Sequence, residues 1–175
     1  MKPKTCLSSE TIKTELVLPN DTNVMGNLFG GRLMQWMDIA GAICASKHSE
    51  ARTVTASVDN ISFDKAIRLG DVVTLKAQVS RAWNSSMEVY IEVYTNDIKG
   101  KNKLKSNHAY FTFVAIDLET GKPVKVPPLQ PETEDEKARY ESANRRKEVR
   151  LIISKRLKPK DAKEIIDYFA DFHED

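Results

Sequence analysis

The chain has 175 residues, 41% of them hydrophobic and 30% charged, with a formal net charge of +2. That is the length of one domain plus an extension, with an ordinary globular composition and too little charge to argue for nucleic acid. Two cysteines, Cys6 and Cys44, make no disulfide framework. Met1 to Glu10 lacks the apolar core of a signal peptide, and no apolar stretch approaches membrane-spanning length. A cytoplasmic protein without membrane insertion is therefore expected.

Thr11 to Leu18 reads as a first strand, closed by Pro19-Asn20-Asp21. Asn23 to Gly31 is a glycine-containing loop. Leu33 to Lys47 follows as a helix with Leu33, Met37, Ala40 and Cys44 at helical spacing. Met34, Trp36, Ile39 and Ile43 occupy its other faces, so a helix apolar nearly all round, and hence buried, is expected. The period then changes to two. Val54, Ala56 and Val58 alternate, and Ile61 and Phe63 continue one step out of phase, which places an expected β-bulge near Asp59-Asn60.

Val73 to Val79, Met87 to Val93 and Ala109 to Ala115 are three more alternating strands, the last ending in a turn over Glu119 to Lys122. Short links make these strands antiparallel. The predicted fold is α+β: one long buried helix wrapped by a curved antiparallel sheet of about five strands.

Pro123, Pro127, Pro128 and Pro131 mark a linker, and the composition beyond it becomes charged. Glu132 to Lys147 reads as a solvated helix. Pro159 opens a last helix with an apolar stripe of Ala162, Ile165, Ile166 and Phe169. The basic run Arg145-Arg146-Lys147 reads as solvated surface rather than a nucleic-acid patch. The expected organisation is a tail over residues 1–10, a folded domain over 11–127, and a linker with a charged helical C-terminal extension over 128–175.

Asp38 needs explanation, because it interrupts the most apolar helix of the chain. Burying an unpaired carboxylate costs several kcal/mol. Such a group is paired, faces a cleft, or performs chemistry. Arg32 and Arg52 are the candidate partners if its role is structural.

The segment Gly26-Asn27-Leu28-Phe29-Gly30-Gly31 delivers the chain into this helix. Glycines there let backbone N–H groups approach a ligand, and a helix N-terminus offers unpaired donors that can hold a carbonyl oxygen as it gains charge. A tight turn that needs glycine for geometry alone is the other reading. The three histidines, His48, His108 and His173, are widely spaced, with no cluster at metal-ligand spacing and no G-x-S-x-G elbow.

Together these stretches resemble the cytosolic acyl-CoA hydrolase branch of the hotdog-fold acyl-CoA thioesterases. The carrying residues are Pro19-Asn20-Asp21-Thr22-Asn23, Gly26 to Gly31, Leu33-Met34-Gln35-Trp36-Met37-Asp38 and Ala40-Gly41-Ala42. The resemblance covers roughly Thr11 to Pro127. It implies hydrolysis of fatty acyl-CoA to CoA and a free acid, with no cofactor and no metal. It also implies dimers, assembled further into a hexamer as a trimer of dimers.

By the same resemblance Asp38 is the general base or nucleophile, and Asn27 orients water or the thioester. The backbone of Gly30 and Gly31 polarises the carbonyl, and Arg81, Ser85 and Ser86 bind CoA. Asp38 lies seven residues after Gly31, about 10 Å along a helix, so Asn27 and Asp38 are expected to meet across two chains. The alternatives are a hotdog enoyl-CoA hydratase, disfavoured because no histidine precedes Lys47, and a non-enzymatic acyl-CoA-binding regulator.

Overall fold

The computed structural model describes residues 1–59, 61, 65–101 and 103–170. The chain forms two compact units, Met1–Gln130 and Pro131–Asp175.

The first unit begins with the short strand β1 (Lys4–Thr5), followed by β2 (Thr11–Leu16). The helix α1 (Gly30–Ser49) precedes β3 (Arg52–Asp59), β4 (Val72–Ala82), β5 (Ser86–Asn96) and β6 (Leu104–Ile116). Strand β7 (Leu129–Gln130) pairs in parallel with β1. The main sheet has five strands in the order β2-β4-β5-β6-β3, all neighbours antiparallel. This ordering sends β3 to an edge.

Alternation in the sequence becomes one apolar sheet face. Val73, Leu75, Ala77 and Val79 of β4, Met87, Val89, Ile91 and Val93 of β5, and Ala109, Phe111, Phe113 and Ala115 of β6 are all buried. They pack on Leu33, Met37, Ala40 and Cys44 of α1, and each large side chain so buried contributes about 2 kcal/mol. Contact is close at Gly41, where an added Cβ would lie 2.8 Å from the Phe113 ring.

The structure refines two expectations. Met34, Ile39 and Ile43 of α1 stay 40%, 41% and 44% exposed, because five strands cover only one side of the helix in a single chain. A bulge lies between Thr55 and Ser57, whereas the one expected near Asp59-Asn60 involves Asn60 and so falls outside the described residues. Asn60, Ser62 and Phe63 fall outside the described residues. The first strand stops at Leu16, and a short 3-10 turn over Pro19–Asp21 follows.

The C-terminal end of α1 is held from outside. Lys4 Nζ donates to the carbonyls of Lys47 at 3.1 Å and His48 at 2.9 Å and pairs with Glu50 at 2.6 Å. This places a cation where the helix dipole is negative.

In the second unit, α2 (Glu134–Ile153) opens with a capping box. Thr133 accepts from the Glu136 amide while the Glu136 carboxylate accepts from the Glu132 and Thr133 amides. A 3-10 turn at Pro159–Asp161 leads into α3 (Lys163–Ala170). Glu148 accepts the Ile165 amide and Asn144 donates to Glu164, which ties the two helices together. Ala162 of the expected apolar stripe is buried, whereas Ile166 and Phe169 are exposed.

Candidate functional site

The loop before α1 is built by its own polar side chains. Asn23 Oδ1 accepts from the amides of Met25 at 2.9 Å and Asn27 at 3.2 Å, and the Asn23 amide donates to the Asn27 carbonyl at 2.8 Å. Gly26 closes this turn with φ 73°, a conformation that costs glycine little. Buried Asp21 accepts the Leu18 amide, pairs with Arg32 Nε at 2.8 Å, and offers its carbonyl to the Phe29 amide. Arg32 is thus engaged by Asp21, and it is not the partner of Asp38.

The loop then runs antiparallel to the chain ahead of β4. Leu28 N donates to the Ile67 carbonyl at 2.7 Å, Leu69 N donates to the Gly26 carbonyl at 3.2 Å, and Asn27 is bridged to Arg68. A cavity of about 330 Å³ lies here, lined by Asn27, Leu28, Gly30, Leu33, Lys65, Ala66 and Ile67. Its apolar wall is buried Leu28, Leu33 and Ile67. Of the apolar residues the motif offered, Leu28 lines the cavity, Met37 is in the core, and Phe29 and Met34 are exposed. The amides of Gly30 and Gly31, first in α1, have no acceptor among the described residues, as expected at a helix start.

Asp38 lies two turns further along α1 and does not line this cavity. It is half-buried and accepts a hydrogen bond from Thr55 Oγ1 of β3 at 2.5 Å on Oδ1. Among the described residues it makes no ion pair, with Arg52 or any other cation. This bond occupies Oδ1 and leaves Oδ2 for a further partner.

Arg81, Ser85 and Ser86 sit elsewhere. Arg81 is opposite Glu88 near the end of β4, and Ser85 O accepts the Ala115 amide in the β4–β5 hairpin. The Asn84 carbonyl accepts the Val126 amide, and His48 Nε2 is 2.9 Å from the Pro127 carbonyl, so this hairpin lies toward the C-terminal end of α1. A helix of 20 residues spans about 30 Å, which separates the hairpin from the cavity within one chain.

The chain therefore brings Asn27 and the Gly30 backbone together, with Gly31 next in the helix, and leaves Asp38 and the Arg81 hairpin apart from them. Sequence reasoning missed Thr55 as the partner of Asp38 and Asn23 as the residue that shapes the loop. Only the polar character of Asn23 within Pro19 to Asn23 signalled the latter. No group of three or more His, Cys, Asp or Glu side chains among the described residues could hold a metal ion.

The profile of the thioesterase superfamily matches residues 25–100. An uncharacterised acyl-CoA thioester hydrolase of Bacillus subtilis is 41% identical over 75% of this chain and 76% of its own length. A cytosolic acyl coenzyme A thioester hydrolase of Rattus norvegicus is 37% identical over 83% of this chain, which spans 38% of that longer protein. Among solved structures, an apo-hexameric acyl-CoA thioesterase is 38% identical, with a TM-score of 0.84 over 88% of this chain and 98% of that one.

An acyl-CoA hydrolase of Staphylococcus aureus, solved in complex with butyryl-CoA, CoA and CoA disulfide, is 39% identical. Its TM-score is 0.80 over 95% of this chain and 98% of that one. The staphylococcal enzyme has also been solved with an Asn, an Asp or a Thr replaced by Ala, at successive intervals of 15 and 17 residues. Asn23, Asp38 and Thr55 stand at the same intervals here. With the hotdog architecture, the helix motif and these relatives in agreement, the chain belongs to the acyl-CoA thioester hydrolases of the thioesterase superfamily.

Proposed function

We propose that this chain hydrolyses the thioester of fatty acyl-CoA with Asp38 as general base. The observation that carries this reading is a carboxylate on an apolar helix, with a hydroxyl donor as its partner and no cation among the described residues. Asp38 takes a proton from water as the water oxygen attacks the thioester carbonyl carbon. The carbonyl oxygen gains negative charge and is held by the amides of Gly30 and Gly31. The C–S bond then breaks, the sulfur takes the proton, and CoA and a carboxylic acid leave. The reaction uses no cofactor or metal.

Asn27, beside the cavity, orients water or the thioester. Asn23 positions Asn27 by accepting its amide, and Thr55 orients Asp38. The intervals shared with the staphylococcal variants support including both.

The site is shared between two chains. Asn27 and Gly30 line a cavity that Asp38 does not reach, while the exposed Met34, Ile39 and Ile43 of α1 and Val54 and Val58 of edge strand β3 form an apolar surface beside Asp38. A two-fold partner covering that surface, with its own α1 antiparallel, brings one chain's loop to the other's Asp38. The same arrangement carries Arg81, Ser85 and Ser86 toward the CoA end of the substrate. The hexameric relative supports a trimer of such dimers, and the cytosolic relative supports a cytoplasmic location.

The test is release of free thiol from acetyl-, butyryl-, octanoyl- and palmitoyl-CoA, in chelator and after zinc addition. Release from at least one ester, unchanged by chelator, is expected. No release from any of them overturns the enzyme reading, and activity that vanishes in chelator and returns with zinc overturns the metal-free one.

A further inference from the structure

Asn27 and Arg68 oppose each other across an antiparallel backbone bridge. Directly opposed residues in such a pair send their side chains to the same side, with Cβ atoms about 5 Å apart. The neighbouring pair divides the other way. Leu28 N donates to Ile67 O, and both of these side chains are buried. A further bond, from Leu69 N to Gly26 O, fixes the register. Arg68 is therefore held beside Asn27 by backbone hydrogen bonds rather than by chance of a surface rotamer.

A second cation joins it. Lys65 is exposed and lines the cavity that Asn27 and Gly30 also line. Among the described residues, neither Lys65 nor Arg68 makes an ion pair, whereas Arg32 on the other flank of the loop is taken by Asp21. The Arg68 amide donates to Asp71 Oδ2 at 2.8 Å, which anchors its backbone. The cavity thus has a buried apolar wall of Leu28, Leu33 and Ile67 and positive charge at its rim.

Such a site suits a ligand that is apolar at one end and polyanionic at the other. We propose that Arg68 and Lys65 form a phosphate-recognition pair, which holds the anionic part of an acyl-CoA at the mouth of the Asn27–Gly30 cavity. This rests on the acyl-CoA reading above. The guanidinium supplies a planar fork that matches two phosphate oxygens, and the ammonium supplies a compact charge. Because Arg68 is tied to Asn27, the pair stays with the carbonyl-polarising loop, whichever chain contributes Asp38.

The experiment compares two substrates on the full chain: butyryl-CoA and butyryl-pantetheine, which carries the same thioester without phosphates. The variants are Arg68→Ala, Lys65→Ala and Arg68→Lys, each checked for an unchanged melting temperature and assembly size. Titration of CoA alone gives a readout independent of turnover. For Arg68→Ala, the ratio of kcat/KM on the CoA ester to that on the pantetheine ester is expected to fall about tenfold. CoA affinity should fall in parallel. Lys65→Ala should give a smaller fall in the same direction, and Arg68→Lys should restore part of the loss. Added salt should narrow the gap between wild type and variant. If the wild-type protein hydrolyses butyryl-CoA and the ratio is unchanged in both alanine variants, the pair is overturned and the hydrolase reading stands. If the wild-type protein neither hydrolyses the esters nor binds CoA, both readings fall together.

Discussion

The hydroxyl of Thr55 donates to Oδ1 of Asp38 at 2.5 Å, which joins the middle of α1 to the edge strand β3. That bond leaves Oδ2 as the oxygen that the proposed mechanism gives to water. Thr55→Val keeps the shape and removes the donor, so kcat should fall by about tenfold, while the melting temperature changes little because Thr55 is exposed. Asp38→Asn keeps size and removes the proposed base, and turnover should fall by about a hundredfold or more. Rates and melting temperature measured on one sample decide the matter. A variant that loses stability but keeps its turnover per folded molecule would reduce Asp38 to a structural role.

Single-turnover hydrolysis in ¹⁸O-labelled water separates base from nucleophile. With Asp38 as base, the label enters the product acid in the first turnover. With Asp38 as nucleophile, the first product takes its oxygen from the carboxylate, and label appears in the protein instead. Unlabelled acid from stoichiometric enzyme would overturn the general-base assignment.

Much of this was visible in the bare chain, and what was hidden shares a cause. Alternation at Val73 to Val79 marked a strand with one buried face, because the pleat has a period of two, and at Met87 to Val93 it marked the residues that face α1. Asp38 stood out because a carboxylate on an apolar helix has to be accounted for. Its partner did not, since Thr55 is 17 residues away on an element whose place depends on pairing with β6, and pairing order is not written in local pattern. The extra residue at Ala56 was hidden for a related reason, since it shows only in the pairing of β3 with β6. The exposure of Met34, Ile39 and Ile43 was equally illegible, because periodicity reports that a face is apolar and not what covers it.

Sharing of the site predicts complementation. Asn27→Ala and Asp38→Ala should each be nearly inactive as a pure protein. Unfolded and refolded together, about half the dimers are mixed, and each mixed dimer has one site with both defects and one with neither. About a quarter of all sites should recover. Mixed dimers, shown by mass spectrometry, that regain no activity would mean that both residues serve one site from one chain.

The helical unit over Pro131–Asp175 exposes Ile153, Ile166 and Phe169. Truncation after Pro131 should reduce the assembly size in sedimentation or lower the melting temperature, since the exposed apolar stripe is then no longer available to a neighbouring chain. An unchanged sedimentation profile and melting curve would leave the segment without that role.

His48 predicts how stability follows pH. Its side chain is buried, and its Nε2 is 2.9 Å from the Pro127 carbonyl, so Nε2 carries the proton and donates. Nδ1 is buried without a partner among the described residues. Burial pushes the imidazole pKa below its usual 6.5, outweighing the bond to Pro127 that acts the other way, and Lys4 adds to the depression. The folded protein therefore binds this proton less readily than the unfolded chain. Below about pH 6.5 the unfolded state gains a proton that the folded state does not, so stability falls with falling pH until the folded value is reached. Lys47 on α1 and Glu50 just after its end are nearby titratable groups. Glu50 is paired with Lys4, and Cys44, one turn earlier, stays neutral with its thiol pushed up to about 12. His48→Gln can still donate to Pro127 through an amide and cannot titrate. The variant should show a flatter melting temperature between pH 7 and pH 5 than the wild-type protein. Equal slopes in the two proteins would remove His48 from the account of acid sensitivity.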